Sequence, residues 1–209
     1  MTTIGIIGAG AIGSAFARAL ARKGLKGLKA IISNSRGPAS LVDLARELGP
    51  SITPGTREQA AAQDIVLVAV NWSKLPSALS GLPGFDGRIV IDANNPIEAP
   101  LFKPAELNGR TSSETFAELV PGARVVKAFN HLPAHLISDN PQTGGGQRVL
   151  FFAGDDANAK STVGTLIEQI GFFGIDLGLL ADGDKLFQIP GGPLSVHNLI
   201  RVESARRDV

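Results

Sequence analysis

The sequence predicts an α/β protein built on a doubly wound, mainly parallel sheet with a small C-terminal α/β extension. Three observations carry this. Short apolar, β-branched runs alternate with helical stretches along most of the 209 residues. The central runs are apolar throughout rather than alternating with polar residues, as strands buried on both faces require. The first run ends in a glycine cluster that opens a helix.

The elements follow in order. Thr2–Gly8 is a buried strand. Ala11–Lys23 is a helix, with Ile12, Phe16, Ala19 and Leu20 at helical spacing and basic residues at its end, where the dipole favours them. Leu28–Ser33 is a second strand. Pro38 starts a helix that runs to about Leu48, stopped by Gly49-Pro50. Ser51–Thr53 reads as a short strand and Thr56–Gln63 as a short helix. Asp64–Val70 (DIVLVAV) is the clearest strand, followed by a helix from Trp72 to Ser80 and a strand Arg88–Ala93. Thr111–Val120 is a helix capped by Ser112 or Ser113. Arg124–Phe129 and Arg148–Ala153 are strands, with a surface loop expected at Asn140–Gln147. Asp155–Ile170 is a helix that Gly171 stops. Phe172–Leu177 is the last strand, and Pro193–Ala205 reads as a terminal helix. No linker or charge block divides the chain. One dinucleotide-binding unit is expected, with a core over about 1–180 and cap helices over about 181–209.

Composition narrows the function. Hydrophobic residues at 44% and charged residues at 19% fit a folded globular chain and not a disordered one. Cysteine is absent, which removes disulfides, thiolate nucleophiles and cysteine-bound metals and fits a reducing cytoplasm. Tyrosine is absent too, and the three histidines are His131, His135 and His197. A net charge of +1 does not suggest nucleic-acid binding. No uncharged stretch reaches the roughly 18–20 residues of a membrane helix. Ile4 to Ala17 is uncharged, but no Lys or Arg precedes it and glycines interrupt it, so it does not read as a signal peptide.

Gly8-Ala9-Gly10-Ala11-Ile12-Gly13 is G-x-G-x-x-G in the strand–turn–helix setting that gives the pattern its chemistry. Gly8 makes the tight turn, Gly10 admits a pyrophosphate to the backbone, and Gly13 lets helix and strand pack closely. The free N–H groups at the helix start then meet the anion. This makes the sheet Rossmann-type. The second strand ends in Ser33-Asn34-Ser35-Arg36, where an NAD site usually carries an acid. No Asp or Glu occurs from Met1 to Val42. Arg36 can fork onto a 2′-phosphate, with Asn34, Ser35 and Ser40 as neutral donors. At roughly 1.5–3 kcal/mol for a hydrogen bond to a charged group, NADP is favoured over NAD by about ten- to a hundredfold.

Ligands of such sheets lie beyond the carboxyl ends of the strands. Three such ends present candidates: Val70-Asn71-Trp72, Asn94-Asn95 before Pro96, and Ala128-Phe129-Asn130-His131. The Asn groups can bind a carboxamide or ribose and Phe129 can form a wall. Asn-Asn-Pro and Asn-His are also ordinary turn formers, and Trp72 an ordinary packing residue. Pro133 between His131 and His135 argues against a metal pair. His131 is the one weak candidate for a general acid. No Ser/Lys or Lys/Asp constellation is visible.

Taken together, GIIGAGAIG, SNSRGP, RVVKAFN, AGDDANAKSTVGTLIEQIGF and GGPLSVHNL resemble the NADP oxidoreductases that use the deazaflavin coenzyme F420. The resemblance covers nearly the whole chain, in order. It implies hydride transfer between the nicotinamide of NADP(H) and a deazaflavin lying against it. It implies that Ala9 to Ile12 contact the pyrophosphate, Ser35 and Arg36 the 2′-phosphate, and Ala128 to Asn130 the nicotinamide. His131, Leu132 and the turn Gly191-Gly192-Pro193-Leu194 would line the second cofactor's pocket. Ser40 stands where the family often has a Lys. A similar architecture forms the cytosolic domain of membrane metalloreductases. Other acceptors (a flavin, a quinone, a small carbonyl or imine) are alternatives, as is a protein that senses NADPH without turnover. A homodimer is an expectation, since the C-terminal segment can cover a neighbouring copy.

Overall fold

The computed structural model describes residues 2–24, 28–98 and 102–203. β1 (Thr3–Ile7) leads into α1 (Ala11–Lys23), β2 (Lys29–Ser33), a 3-10 turn and α2 (Val42–Leu48). β3 (Ile52–Pro54), α3 (Arg57–Ala61), β4 (Ile65–Val68), a second 3-10 turn, α4 (Leu75–Leu79) and β5 (Ile89–Asp92) follow. A two-stranded ribbon, β6 (Ile97–Glu98) and β7 (Lys103–Pro104), precedes α5 (Ser112–Ala117) and β8 (Arg124–Ala128). The remainder is α6 (Ala134–Ser138), β9 (Gln142–Thr143), β10 (Gly146–Gly154), α7 (Ala157–Gln169), β11 (Phe173–Asp176), α8 (Leu180–Phe187) and β12 (Ile200–Arg201).

The main sheet runs β11-β10-β8-β5-β4-β1-β2-β3. From β3 to β8 every pair is parallel. β10 turns antiparallel to β8, and β11 pairs parallel to β10. This is a Rossmann-like α/β fold. The chain winds outward from β1 through β2 to β3, then returns to place β4 on the other side of β1. That reversal opens a crevice over the carboxyl ends of β1 and β4, where such sheets bind ligands.

The strands explain their own composition. In β4, Ile65 and Leu67 enter the core beneath α1 and α7, while Val66 and Val68 enter the core beneath α3, α4 and α5. Alternate side chains of one strand point to opposite faces. A sheet covered on both faces therefore needs apolar residues at every position, and no alternation shows in the sequence.

Three expectations change. Thr111, not Ser112 or Ser113, caps α5: its side chain accepts from the Glu114 N–H, and the Glu114 carboxylate accepts from the Thr111 N–H. Both serine hydroxyls are drawn into a buried network instead. The expected loop 140–147 is a hairpin, β9 to β10, turning at Gly144 and Gly145 with φ of 58° and 75°. The expected helix from Pro193 is a series of turns ending in β12, whose Ile200 and Arg201 pair antiparallel with β10. Its last two positions, 204 and 205, lie outside the described residues. Strand pairing to β10 outweighs helical spacing in so short a segment. Among the described residues no helix is long and apolar enough to cross a membrane.

Candidate functional site

The glycine loop shows three different reasons for glycine. Gly8 has φ +106°, and a Cβ there would lie 2.1 Å from the Ala69 carbonyl oxygen. A Cβ on Gly13 would lie 1.8 Å from the Gly8 carbonyl oxygen, so α1 sits directly on the loop. Gly10 has ordinary backbone angles, and a Cβ there would meet nothing within 4 Å. Packing does not require glycine at position 10. What the missing side chain leaves is open space before α1, whose cap residue makes no side-chain bond and whose first turn carries no acid.

That space belongs to a cleft of about 720 Å³ bordered by Gly8, Ala9, Gly10, Ser33, Asn34, Ser35, Arg36, Val70 and Asn71. Arg57, Lys74, Ser77 and Ala78 complete the border. A second cleft of about 210 Å³ continues past the loop. Ala11, Ile12, Trp72, Ala93, Asn94, Asn95 and Ile97 line it, and it shares Gly10, Ala69, Val70 and Asn71 with the first. One groove thus crosses the carboxyl ends of β2, β1, β4 and β5.

The electrostatics differ along it. The larger cleft carries Arg36, Arg57 and Lys74 and no carboxylate among its described lining residues. Arg57 is held across the cleft from Arg36 by bonds from Nη1 to the carbonyls of Ser77 (2.8 Å) and Ala78 (3.1 Å). Arg57 and Lys74 escape a reading of sequence, because only the fold brings α3 and the 3-10 turn before α4 to the cleft that Arg36 borders. The smaller cleft has no ionisable side chain among its described lining residues. At its mouth the Ser73 N–H and hydroxyl both donate to the Glu98 carboxylate, tying the turn after Trp72 to β6.

Several expected residues sit elsewhere. Gly13 lies beneath the loop. Ser40 lines neither cleft: its hydroxyl donates to the Gly37 carbonyl (2.7 Å) and accepts from Asn34 Nδ2 (2.9 Å), bracing the turn that presents Arg36. Ala128, Phe129, Asn130, His131 and Leu132 are all buried behind the Asn94-Asn95 shelf and border neither cleft. Phe129 holds φ +64°, a costly conformation for an aromatic residue, with its ring edge-on to Phe16 at 4.9 Å. Asn130 meets the shelf from behind, donating through Nδ2 to Asn95 Oδ1 (3.1 Å). Gly191, Gly192, Pro193 and Leu194 fold back on the end of α8, where Gly192 and Leu194 N–H groups donate to the carbonyls of Gln188 and Leu186. They too line neither cleft.

His131 corrects the expectation of a general acid. It is fully buried, its ring 4.8 Å from Phe151 and 6.0 Å from Phe187, and neither ring nitrogen has a partner among the described residues. Burial pushes its pKa down to about 3, so at neutral pH it is an uncharged core residue.

A Lys/Asp/Ser constellation does exist, though none is visible in the sequence. Lys127 of β8 and Asp92 of β5 are both fully buried, stand opposite in register and pair at 3.0 Å. Asp184 of α8, also fully buried, stands 3.8 Å from the Lys127 ammonium. Ser112 donates to Asp184 (2.9 Å) and Ser113 to Asp92 (2.8 Å). Opposite charges inside two adjacent apolar runs, RIVIDA and RVVKAF, were the available signal. Such charges are almost never buried unless paired.

Residues 3–96 match the family model described as NADP oxidoreductase coenzyme F420-dependent. A solved structure of a hypothetical protein from Sinorhizobium meliloti is 44% identical with a TM-score of 0.89, covering 96% of both chains. A solved structure from Arthrobacter sp. FB24, named as a candidate F420 dependent NADP-reductase, is 27% identical with a TM-score of 0.71, covering 86% of both. Metalloreductase STEAP3 of Rattus norvegicus is 30% identical over 90% of this chain. The chain spans only 36% of that relative's length. With its glycine loop, its Ser33–Arg36 turn and its Asn94-Asn95 shelf all inside the matched region, residues 3–96 of the chain match the coenzyme F420-dependent NADP oxidoreductase family.

Proposed function

We propose that the protein binds NADP(H) along this groove and transfers a hydride between the nicotinamide and a second small redox cofactor, a deazaflavin of the coenzyme F420 type. One observation carries the reading. A groove that begins in three cations, with no carboxylate among its described lining residues, passes an open glycine loop and ends in a cleft with no ionisable side chain among its described lining residues.

The residues present fit the dinucleotide. Arg36 and Ser35 bind the 2′-phosphate, with Arg57 and Lys74 supplying the cation that Ser40 does not. The N–H groups at the start of α1 meet the pyrophosphate over Gly10. Asn71, Trp72, Asn94 and Asn95 form the walls of the nicotinamide end. When bound, NADPH supplies the hydride. The chain's task is to align the two rings and exclude water. Among the described residues no acidic or histidine side chain lines that cleft, which favours a ring acceptor over a carbonyl or imine, where a positioned acid is needed.

The test is an acceptor panel. Purified protein is mixed with NADPH and oxidised coenzyme F420, FMN, a quinone or a cyclic imine, and the acceptor's absorbance is followed. Turnover of the deazaflavin well above the rest is expected. Rapid imine reduction with an inert deazaflavin would overturn the reading, and inertness towards every acceptor would favour an NADPH-sensing role.

A further inference from the structure

Lys127 never reaches the groove, yet its contacts govern the groove's nicotinamide end. Its ammonium donates to Asp92 Oδ2 (3.0 Å), to the Asn94 carbonyl (2.5 Å) and to Ser112 Oγ (3.0 Å), which uses all three protons. The other Asp92 oxygen accepts from the Asn94 backbone N–H (3.0 Å) and from Asn94 Nδ2 (2.7 Å). With Nδ2 committed to Asp92, Asn94 Oδ1 is turned to accept from the Val70 N–H (2.9 Å). The end of β5 is thereby fixed to the end of β4. The network also reaches α8, because Asp184 takes the Ser112 hydroxyl and the Ser113 N–H.

Burying such a cluster is costly, and a well-packed apolar substitute often serves stability as well. Stability alone therefore gives a weak reason for one ammonium and two carboxylates at this spot. Their placement gives a stronger one. Each bond of Asp92 that Lys127 does not use goes to Asn94 or to Ser113. Asn94 and Val70 both line the smaller cleft.

We propose that Lys127, through Asp92, is a positioning residue for the nicotinamide: it locks Asn94 in one orientation and aligns the two strand ends between which the ring is held. The proposal rests on the NADP(H) reading above. It predicts that disrupting the network harms one end of the groove and spares the other, since among the described residues Arg36, Arg57 and Lys74 share no hydrogen bond or ion pair with it.

The experiment compares wild type, Lys127→Met and Ser113→Ala. Each is titrated with 2′-phospho-ADP-ribose, which fills only the adenosine end, and with NADPH, whose nicotinamide fluorescence changes when the ring is held. For Lys127→Met, the affinity for 2′-phospho-ADP-ribose is expected to stay within about threefold, while the nicotinamide signal is lost and kcat falls by about a hundredfold, the usual effect of an ångström-scale misplacement. Ser113→Ala removes one hydroxyl hydrogen bond to the Asp92 carboxylate. It should fold even where Lys127→Met does not, and should lower kcat by about tenfold with the same split. Unchanged nicotinamide fluorescence and kcat in a folded variant would overturn the proposal. So would equal losses at both ends, which mark a merely structural network. A wild type that binds 2′-phospho-ADP-ribose and NADPH, with unaffected variants, defeats this proposal alone; a wild type that binds neither defeats the NADP(H) reading as well.

Discussion

At the scale of single residues, the proposed adenosine end turns on Arg36 and the acid behaviour on His131. Arg36 makes no ion pair among the described residues and borders the larger cleft, so its guanidinium is available to a ligand. Replacing it by Ala removes charged hydrogen bonds of roughly 1.5–3 kcal/mol, so KM for NADPH should rise about ten- to a hundredfold while KM for NADH hardly moves. His131 acts on stability. Its folded pKa, about 3, lies below the ordinary value of 6.5, so the unfolded chain binds a proton that the fold refuses. The contribution is complete above pH 6.5 and is lost as pH falls towards 3, by roughly 5 kcal/mol. Acid titration of unfolding should show this limb, and His131→Leu should flatten it without lowering stability at pH 7, because the two unpartnered ring nitrogens go with it. The place of Arg36 at the cleft was legible in the sequence, because it follows the second strand in a segment that lacks an acid. The state of His131 was not, since a histidine at a strand end reads alike whether it faces a ligand or, as here, Phe151 and Phe187.

At the scale of elements, the loop before α1 separates binding from folding. Gly10→Ala places a methyl in open space at allowed backbone angles, so the melting temperature should be unchanged or slightly higher while NADPH binding weakens at least tenfold by obstruction of the phosphate approach. Gly13→Ala forces a Cβ against the Gly8 carbonyl, and differential scanning calorimetry should show a destabilisation on the order of 2–4 kcal/mol. Equal effects on stability in the two variants would contradict this division. The bounds of α1, Ala11–Lys23, were legible in full, because period, basic end and glycine loop all agree. The C-terminal segment was not. Its short turns answer to α8 and β10 rather than to local propensity, and a propensity of a few tenths of a kcal/mol per residue gives way to such packing. The opposition of Asp92 and Lys127 also needed the strand register before it could be seen.

At the scale of the molecule, the order of strands turns local motifs into one groove. The reversal between β1 and β4 brings Gly10, Arg36, Arg57 and Asn94 to one edge of the sheet, although they are far apart in sequence. The parallel core and the motif at its switch point could be read from apolar runs and glycine spacing. The cations that complete the cleft, and the burial of residues 128–132 behind the shelf, required the assembled fold. A ligand that binds only the folded state should stabilise it by about 2.7 kcal/mol at a hundred times its Kd, so NADPH should raise the melting temperature in proportion to its affinity. The most direct measurement is calorimetric titration of the wild-type protein with NADPH and with NADH under identical conditions. NADPH is expected to bind at least about tenfold tighter, the difference that 1.4 kcal/mol from one 2′-phosphate contact produces. Equal affinities, or preference for NADH, would contradict it.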